Sequence, residues 1–183
     1  MAFALTIGAP TPAIAGKSQP YVKLHRGAKP KTVLNDLWGK LLTKAKRTKR
    51  PVVVMFSADW CAPCKAIKEF MHSSTAVRKA LKKGTFTIID VDEFRGPAHQ
   101  LIPGVNPTKL PTIVRVDYSG RKVVQCYGSD LGLLSEDAIA TNLKRLFAGK
   151  APGKPFYHGK SKLESELMRK QSEAQNKQTK GVS

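Results

Sequence analysis

The segment PVVVMFSADWCAPCKAIKEF, residues 51–70, places two cysteines, Cys61 and Cys64, between an apolar run and a helix-like pattern. Residues 52–56 are five consecutive apolar residues, which is typical of a central strand buried on both faces. The apolar spacing that follows predicts a helix over about 61–72. Two cysteines in this position predict either a redox centre or half of a metal site, and a chance spacing is the third alternative.

The predicted helix gives the cysteine pair its chemistry. A free cysteine has a pKa of about 8.5, and a helix N-terminus lowers this pKa, since unpaired backbone N–H groups there stabilise the thiolate. Cys61 stands at the predicted start of the helix, and Pro63 fits the first turn, where its missing N–H costs no hydrogen bond. Cys64 follows one turn later and is the candidate for resolving a mixed disulfide. A CxxC that opens a helix directly after an apolar strand therefore indicates thiol chemistry.

Zinc binding is the competing interpretation, and a structural zinc site needs four ligands. The remaining candidate ligands are Cys126 and the four histidines: His25, His72, His99 and His158. Their spacing forms no second ligand pair, and a cysteine within a strand is commonly a buried, inert thiol. We therefore expect no metal site.

Three motifs resemble the thioredoxin family: VVVMF, ADWCAPCK over residues 58–65, and KLPT over 109–112. The resemblance covers about residues 33–147. It implies the thioredoxin fold, with Cys61 as the attacking thiol, Cys64 as the resolving thiol and Trp60 beside them. It also implies a redox-active disulfide that needs no metal or organic cofactor.

The same resemblance assigns roles to two further residues and reveals two departures from the family pattern. It implies that Pro111 is a cis-proline beside the CxxC, and that the backbone of Leu110 pairs with a bound substrate strand. Thioredoxins proper keep a buried Asp and a nearby Lys on two central strands, where this sequence has Met55 and Ile88. Ala62 stands before Pro63 in the active-site motif, where thioredoxins usually have Gly. Losing the Asp and the Lys together is physically coherent, because either alone would be an unpaired buried charge.

Hydrophobic periodicity predicts an α/β fold with a mixed central sheet flanked by helices. The predicted helices cover about 31–46, 61–72, 74–83 and 135–147, and the predicted strands cover 52–56, 85–93, 112–117 and 122–128. We expect residues 94–110 to be irregular, because they are rich in Gly and Pro. Ser135 is the predicted N-cap of the last helix.

The charge is uneven along the chain, which has a net charge of +19. Residues 1–50 carry 11 basic side chains and one acidic side chain. We divide the chain into a basic Pro/Gly-rich arm over 1–30, a thioredoxin-like domain over 31–148, and a basic polar tail over 149–183 with a short helix predicted at 161–175. Basic extensions of this kind often contact a polyanion or an acidic partner, and the equal alternative is that they are solvated tails.

These observations predict a thiol-disulfide oxidoreductase that acts on protein disulfides and is recycled by a separate reductase or oxidase. The alternative is a structural or interaction subunit of a larger assembly, whose basic arms contact a polyanion or a partner protein. No run approaches the roughly 18 apolar residues of a membrane span. We expect a cytoplasmic protein, or an exported one if residues 1–15 act as a signal.

Overall fold

The computed structural model of the protein describes residues 20–24, 33–132 and 135–153. Its strands are β1 (Val22–Leu24), β2 (Val52–Ser57), β3 (Thr85–Asp90), β4 (Thr112–Val116) and β5 (Lys122–Tyr127). Its helices are α1 (Leu34–Arg47), α2 (Ala62–Ser73), α3 (Thr75–Leu81), α4 (Arg95–Gln100) and α5 (Glu136–Phe147), and a 3₁₀ turn spans Gly128–Leu131.

The five strands form one mixed sheet in the order β1-β3-β2-β4-β5. β1, β3 and β2 run parallel, whereas β4 is antiparallel to both β2 and β5. β2 lies at the centre, and all six of its residues are buried. This arrangement confirms the mixed sheet predicted from the order of helices and strands.

Each face of the sheet packs against its own group of helices. Buried residues of α1 and α4 form one hydrophobic cluster with Val52, Val54 and Phe56 of β2. Buried residues of α2, α3 and α5 form the other cluster with Val53 and Met55. Alternate residues of β2 thus enter opposite cores, as the period of two in a strand requires.

Several predicted boundaries agree with the structure to within a few residues. β2 extends the predicted strand by one residue, to Ser57. Ser135 is the N-cap of α5, because its side chain accepts a hydrogen bond from the backbone N–H of Ala138 at 3.3 Å. Glu136 and Asp137 occupy the first turn of this helix, where they complement the helix dipole.

Two expectations were wrong. Residues 22–24, assigned to the arm, form β1, which pairs with β3 at one edge of the sheet. Residues 95–100, within the segment expected to be irregular, form α4. A strand of three residues is too short to show hydrophobic periodicity. Gly96 and Pro97 in the first turn of α4 are residues typical of loops, so the sequence did not indicate a helix there.

The start of the predicted tail is also packed. The side-chain oxygen of Asn142 accepts a hydrogen bond from the backbone N–H of Gly153 at 2.9 Å, and Arg145 donates to the carbonyl of Ala151 at 2.9 Å. These contacts join residues 151–153 to α5. The predicted arm up to residue 19 and the helix predicted at 161–175 lie outside the described residues.

Candidate active site

The cysteine pair lies where β2 ends and α2 begins. Cys61 and Cys64 form a disulfide with an S–S distance of 2.05 Å. Cys61 is the N-cap of α2, and its sulfur accepts a hydrogen bond from the backbone N–H of Cys64 at 3.3 Å. Both cysteines are buried, but Cys61 keeps 4% of its surface exposed and Cys64 none, so Cys61 is the less deeply buried of the two.

The two residues between the cysteines are exposed and form the first turn of α2. Ala62 and Pro63 occupy its first two helical positions, where a backbone N–H has no partner within the helix. The positive end of the helix dipole therefore points at the sulfur of Cys61. A thiolate at Cys61 is the charge that this end of the helix stabilises.

Trp60 is the most exposed large apolar side chain of the site, at 69%. Its indole Nε1 donates a hydrogen bond to Asp92 Oδ2 at 2.8 Å. Asp92 is itself held by a turn, because the backbone N–H groups of Asp92 and Glu93 donate to Asp90 Oδ1 at 2.9 and 3.2 Å. Sequence reasoning missed Asp92, although three carboxylates within the last four residues of the strand predicted at 85–93 were a visible signal.

Leu110 and Pro111 lie at the start of β4, and the peptide bond between them is cis. Leu110 is partly buried and packs against the hydrophobic cluster that contains both cysteines. The carbonyl of Pro111 accepts a hydrogen bond from the backbone N–H of Gly128 at 3.0 Å. The structure thus brings Leu110 into the same cluster as the disulfide and ties Pro111 to the end of β5.

Gly128 is a second residue that the sequence reasoning missed. A Cβ atom added there would lie 2.6 Å from Pro111 Cγ and 2.8 Å from Pro111 Cδ. Both distances are far below the 3.5–4.0 Å of an ordinary carbon–carbon contact. Only glycine leaves room for the proline ring, and a glycine as the last residue of the strand predicted at 122–128 was the available signal.

The residues before the cis bond are fixed by side chains of the same hairpin. The hydroxyl of Thr112 donates to the carbonyl of Lys109 at 2.6 Å, which closes the turn around Leu110. The Lys109 ammonium lies 4.8 Å from the centre of the Tyr127 ring, a cation–π contact across the β4–β5 pair. A cation therefore stands two residues before Pro111.

Met55 and Ile88 are direct neighbours in the sheet. They are register partners on β2 and β3, and their exposed fractions are 0% and 2%. Both belong to the hydrophobic cluster that includes Ile67 of α2. The two positions suspected of having lost a charged pair are thus adjacent, buried and apolar.

Cys126 takes no part in this chemistry. It is a free thiol on β5 and is 4% exposed. Burial, with a smaller contribution from the negative charge of Asp130, raises the pKa of this thiol to about 12. It stays protonated at neutral pH and is a poor nucleophile.

Within the described part of the chain, no three His, Cys, Asp or Glu side chains are grouped so that they could hold a metal ion. What the site offers is a pair of sulfurs in different environments. The Cys61 sulfur accepts a hydrogen bond at the helix N-terminus, and its residue keeps a small exposed surface, whereas Cys64 is fully buried. That asymmetry suits a reaction in which one thiol attacks and the second displaces.

Comparison with known proteins agrees with the sheet and the cysteine pair. Residues 35–117 match the family model described as thioredoxin-like. A thioredoxin H-type from Ricinus communis is 37% identical over 73 residues, which cover 40% of this chain and 59% of that protein. The thiol:disulfide interchange protein DsbD of Cronobacter sakazakii is 30% identical over 94 residues, 51% of this chain and 16% of that protein.

Among solved structures, a disulphide isomerase from Xylella fastidiosa Temecula1 is 23% identical, with a TM-score of 0.49. The match covers 64% of this chain and 95% of that one. The chain spans about three fifths of the thioredoxin H-type relative.

The fold and the disulfide define a domain of the thioredoxin class, as the sequence motifs implied. The family match over residues 35–117, the relatives and the Cys61–Cys64 pair support a thioredoxin-like protein. Among the described residues, no helix combines the length and the apolar character needed to cross a bilayer.

Proposed function

We propose that the protein is a thiol-disulfide oxidoreductase that acts on protein disulfides. The observation that carries this proposal is the Cys61–Cys64 disulfide at the N-terminus of α2, in which Cys61 is 4% exposed and Cys64 is fully buried. The relatives named thioredoxin and thiol:disulfide interchange protein support the same class of reaction.

The reaction begins from the reduced pair. The Cys61 thiolate attacks one sulfur of a substrate disulfide, which forms a mixed disulfide and expels one substrate thiolate. Cys64 then loses its proton and attacks the sulfur of Cys61, which expels the second substrate thiolate. The substrate gains two electrons and two protons, and the protein is left with the Cys61–Cys64 disulfide. A thiol reductant must return two electrons before the next cycle, and the same steps in reverse would oxidise a substrate dithiol.

We assign substrate contacts to the surface around Cys61. Trp60 offers an exposed ring held by Asp92, and the backbone of Leu110 stands before the cis bond with its side chain in the cluster of the cysteines. An extended substrate segment that pairs with the backbone at Leu110 would bring its disulfide to Cys61, since backbone pairing orients a peptide without demanding one sequence.

The test is reduction of a protein disulfide such as that of insulin, with dithiothreitol as the electron source. We expect turnover by the full chain and none above the uncatalysed rate in Cys61→Ser. Cys126→Ser is the matched control, because it also removes one cysteine but should keep full turnover. In Cys64→Ser, Cys61 should form a mixed disulfide that persists and is released by reductant.

Absence of turnover in the folded, reduced wild-type chain would contradict the proposal. It would favour the alternative use of the domain as a subunit of an assembly. Equal mixed-disulfide trapping by Cys61→Ser and Cys64→Ser would contradict the assigned order of attack.

A further inference from the structure

A groove of about 920 Å³ lies at the β1 edge of the sheet, between α1 and α3. Its lining shares no residue with the candidate active site. The floor is apolar and consists of Tyr21, Val22, Leu24, Leu37, Leu41, Ala45, Leu81 and Phe86. A concave surface of this size, with an apolar floor, is typical of a binding site.

The rim of the groove is strongly basic. Six cationic side chains line it, namely Lys40, Lys44, Arg50, Arg78, Lys79 and Lys82, and none of the described lining residues is Asp or Glu. The described part of the chain places no carboxylate within 4 Å of any of the six, since its ion pairs are Lys68–Asp59 and Arg121–Asp117. Among the described residues, no carboxylate therefore balances the positive charge around the apolar floor at ion-pair distance.

The walls carry these charges on regular elements. Lys40 and Lys44 are one turn apart on α1, and Arg78 and Lys79 lie on α3. Arg50 closes one end, where its guanidinium donates to the carbonyls of Lys82 and Gly84. The two rows of charge are thus held apart by the fold, with the apolar floor between them.

We propose that this groove, which we call the basic groove, binds an acidic amphipathic helix of a partner protein. Apolar side chains at helical spacing would enter the floor, and carboxylates on both flanks of the helix would meet the rows of cations on α1 and α3. Charge complementarity selects this occupant, because an uncharged or basic segment would leave the rim unpaired.

Two other polyanions fit the groove less well. Proteins that bind single-stranded nucleic acid present aromatic rings on which bases stack. Of the two aromatic residues here, Phe86 is 2% exposed and Tyr21 packs edge-on against His72. A lipid surface binds apolar groups that protrude into it, whereas Val22 is the only exposed residue of this floor.

The location of the groove keeps the cysteine site free. Arg50 and Gly84 lie at the amino ends of β2 and β3, whereas Cys61 follows the carboxyl end of β2. The six residues of β2 separate these ends by about 20 Å at about 3.3 Å per residue. A partner seated in the basic groove leaves Cys61 uncovered. This proposal does not depend on the proposed function.

The test uses the full chain and a fluorescein-labelled peptide of about 14 residues, or about 21 Å as a helix. Leucines stand at positions 1, 4, 5, 8, 11 and 12, along one helical face, and glutamates fill the other positions. Comparison probes are the same composition in scrambled order, a version with lysine in place of glutamate, a single-stranded oligonucleotide, and phosphatidylserine vesicles. Binding is followed by fluorescence anisotropy, with vesicle binding followed by sedimentation.

Lys44→Glu/Lys79→Glu reverses one charge on each wall. Lys122→Glu/Lys150→Glu is the charge-matched control, because it changes the net charge equally near the opposite sheet edge. We expect the first variant to weaken binding of the acidic peptide roughly tenfold or more, since both charge rows lose a favourable contact and gain a repulsive one. The control should change it less than about twofold, and both variants should melt within a few degrees of wild type.

Four results would overturn the proposal. The first is no binding of the acidic peptide to wild type. The second is equal weakening by both double variants, which would mean general attraction to a basic protein. The third is equal binding of the scrambled peptide. The fourth is a preference for the oligonucleotide or the vesicles that is lost specifically in Lys44→Glu/Lys79→Glu.

Discussion

Replacing Gly128 with Ala tests whether the contact beneath Pro111 holds the substrate-facing turn. The new Cβ would lie 2.6 and 2.8 Å from two atoms of the proline ring, so the ring or the backbone of residue 128 has to move. Both residues are buried, and Gly128 N–H also donates to the Pro111 carbonyl at 3.0 Å. Overpacking of this kind typically costs about 1–3 kcal/mol.

That cost should appear as lower stability and as displacement of the turn. With a urea m-value of about 1–3 kcal/mol/M, the midpoint of unfolding should fall by roughly 1 M. The same displacement should lower kcat/KM for a protein disulfide about tenfold, because the backbone at Leu110 no longer meets the substrate in the right place. Alkylation of the reduced Cys61 should keep its rate, since α2 is unchanged.

Gly39→Ala is the matched control for this experiment. Gly39 lies in α1, where an added Cβ meets nothing within 4 Å. The change should therefore stabilise the protein by up to about 1 kcal/mol, through helix propensity alone. If Gly128→Ala unfolds at the wild-type urea concentration and reduces protein disulfides at the wild-type rate, the contact with Pro111 does not position the turn.

Three further changes address the charged, aromatic and sulfur groups. Met55→Asp should lower the free energy of unfolding by several kcal/mol, because it buries an unpaired polar group, and this loss should grow as pH rises above about 4, because burial raises the carboxyl pKa. Met55→Asp/Ile88→Lys should recover part of the lost stability in urea titrations. If the effects of the two substitutions simply add, the new Asp and Lys do not pair. Asp92→Ala should free the Trp60 indole, alter its fluorescence and lower turnover a few fold. Asp92→Asn should keep most of the wild-type fluorescence and turnover, because its side-chain oxygen can still accept the indole hydrogen bond. With its pKa raised to about 12, Cys126 should resist iodoacetamide at pH 8 in the folded oxidised protein and react only in denaturant; rapid labelling of the native protein would contradict its burial.

The helices and strands around the cysteines were predictable because their signals are local. A continuous apolar run marked β2, and Ser135 with two acidic residues marked the start of α5. Cys61 and Cys64 were recognisable because thiol chemistry needs them at this spacing, at the start of a helix.

The residues that were missed act across long separations in sequence. Asp92 reaches Trp60 over 32 positions, and Gly128 meets Pro111 only because β5 pairs with β4. β1 was missed because three residues carry no period, although its pairing with β3 completes the sheet. The basic groove is formed by β1, α1 and α3, which are separate in sequence, so no single segment of the sequence indicates it.

The separation of the basic groove from Cys61 leads to a last prediction, on salt. The ends of β2 are about 20 Å apart, which is at least twice the screening length of about 8–10 Å at ordinary salt. The rim cations are therefore largely screened from the Cys61 sulfur, whereas they dominate attraction of an acidic helix. Raising NaCl from about 0.05 to 0.5 M should weaken peptide binding to the groove severalfold while reduction of a small neutral disulfide keeps nearly the same rate. Parallel losses in both measurements would mean that groove and thiol share one electrostatic field, and the two ends of the sheet could not then act independently.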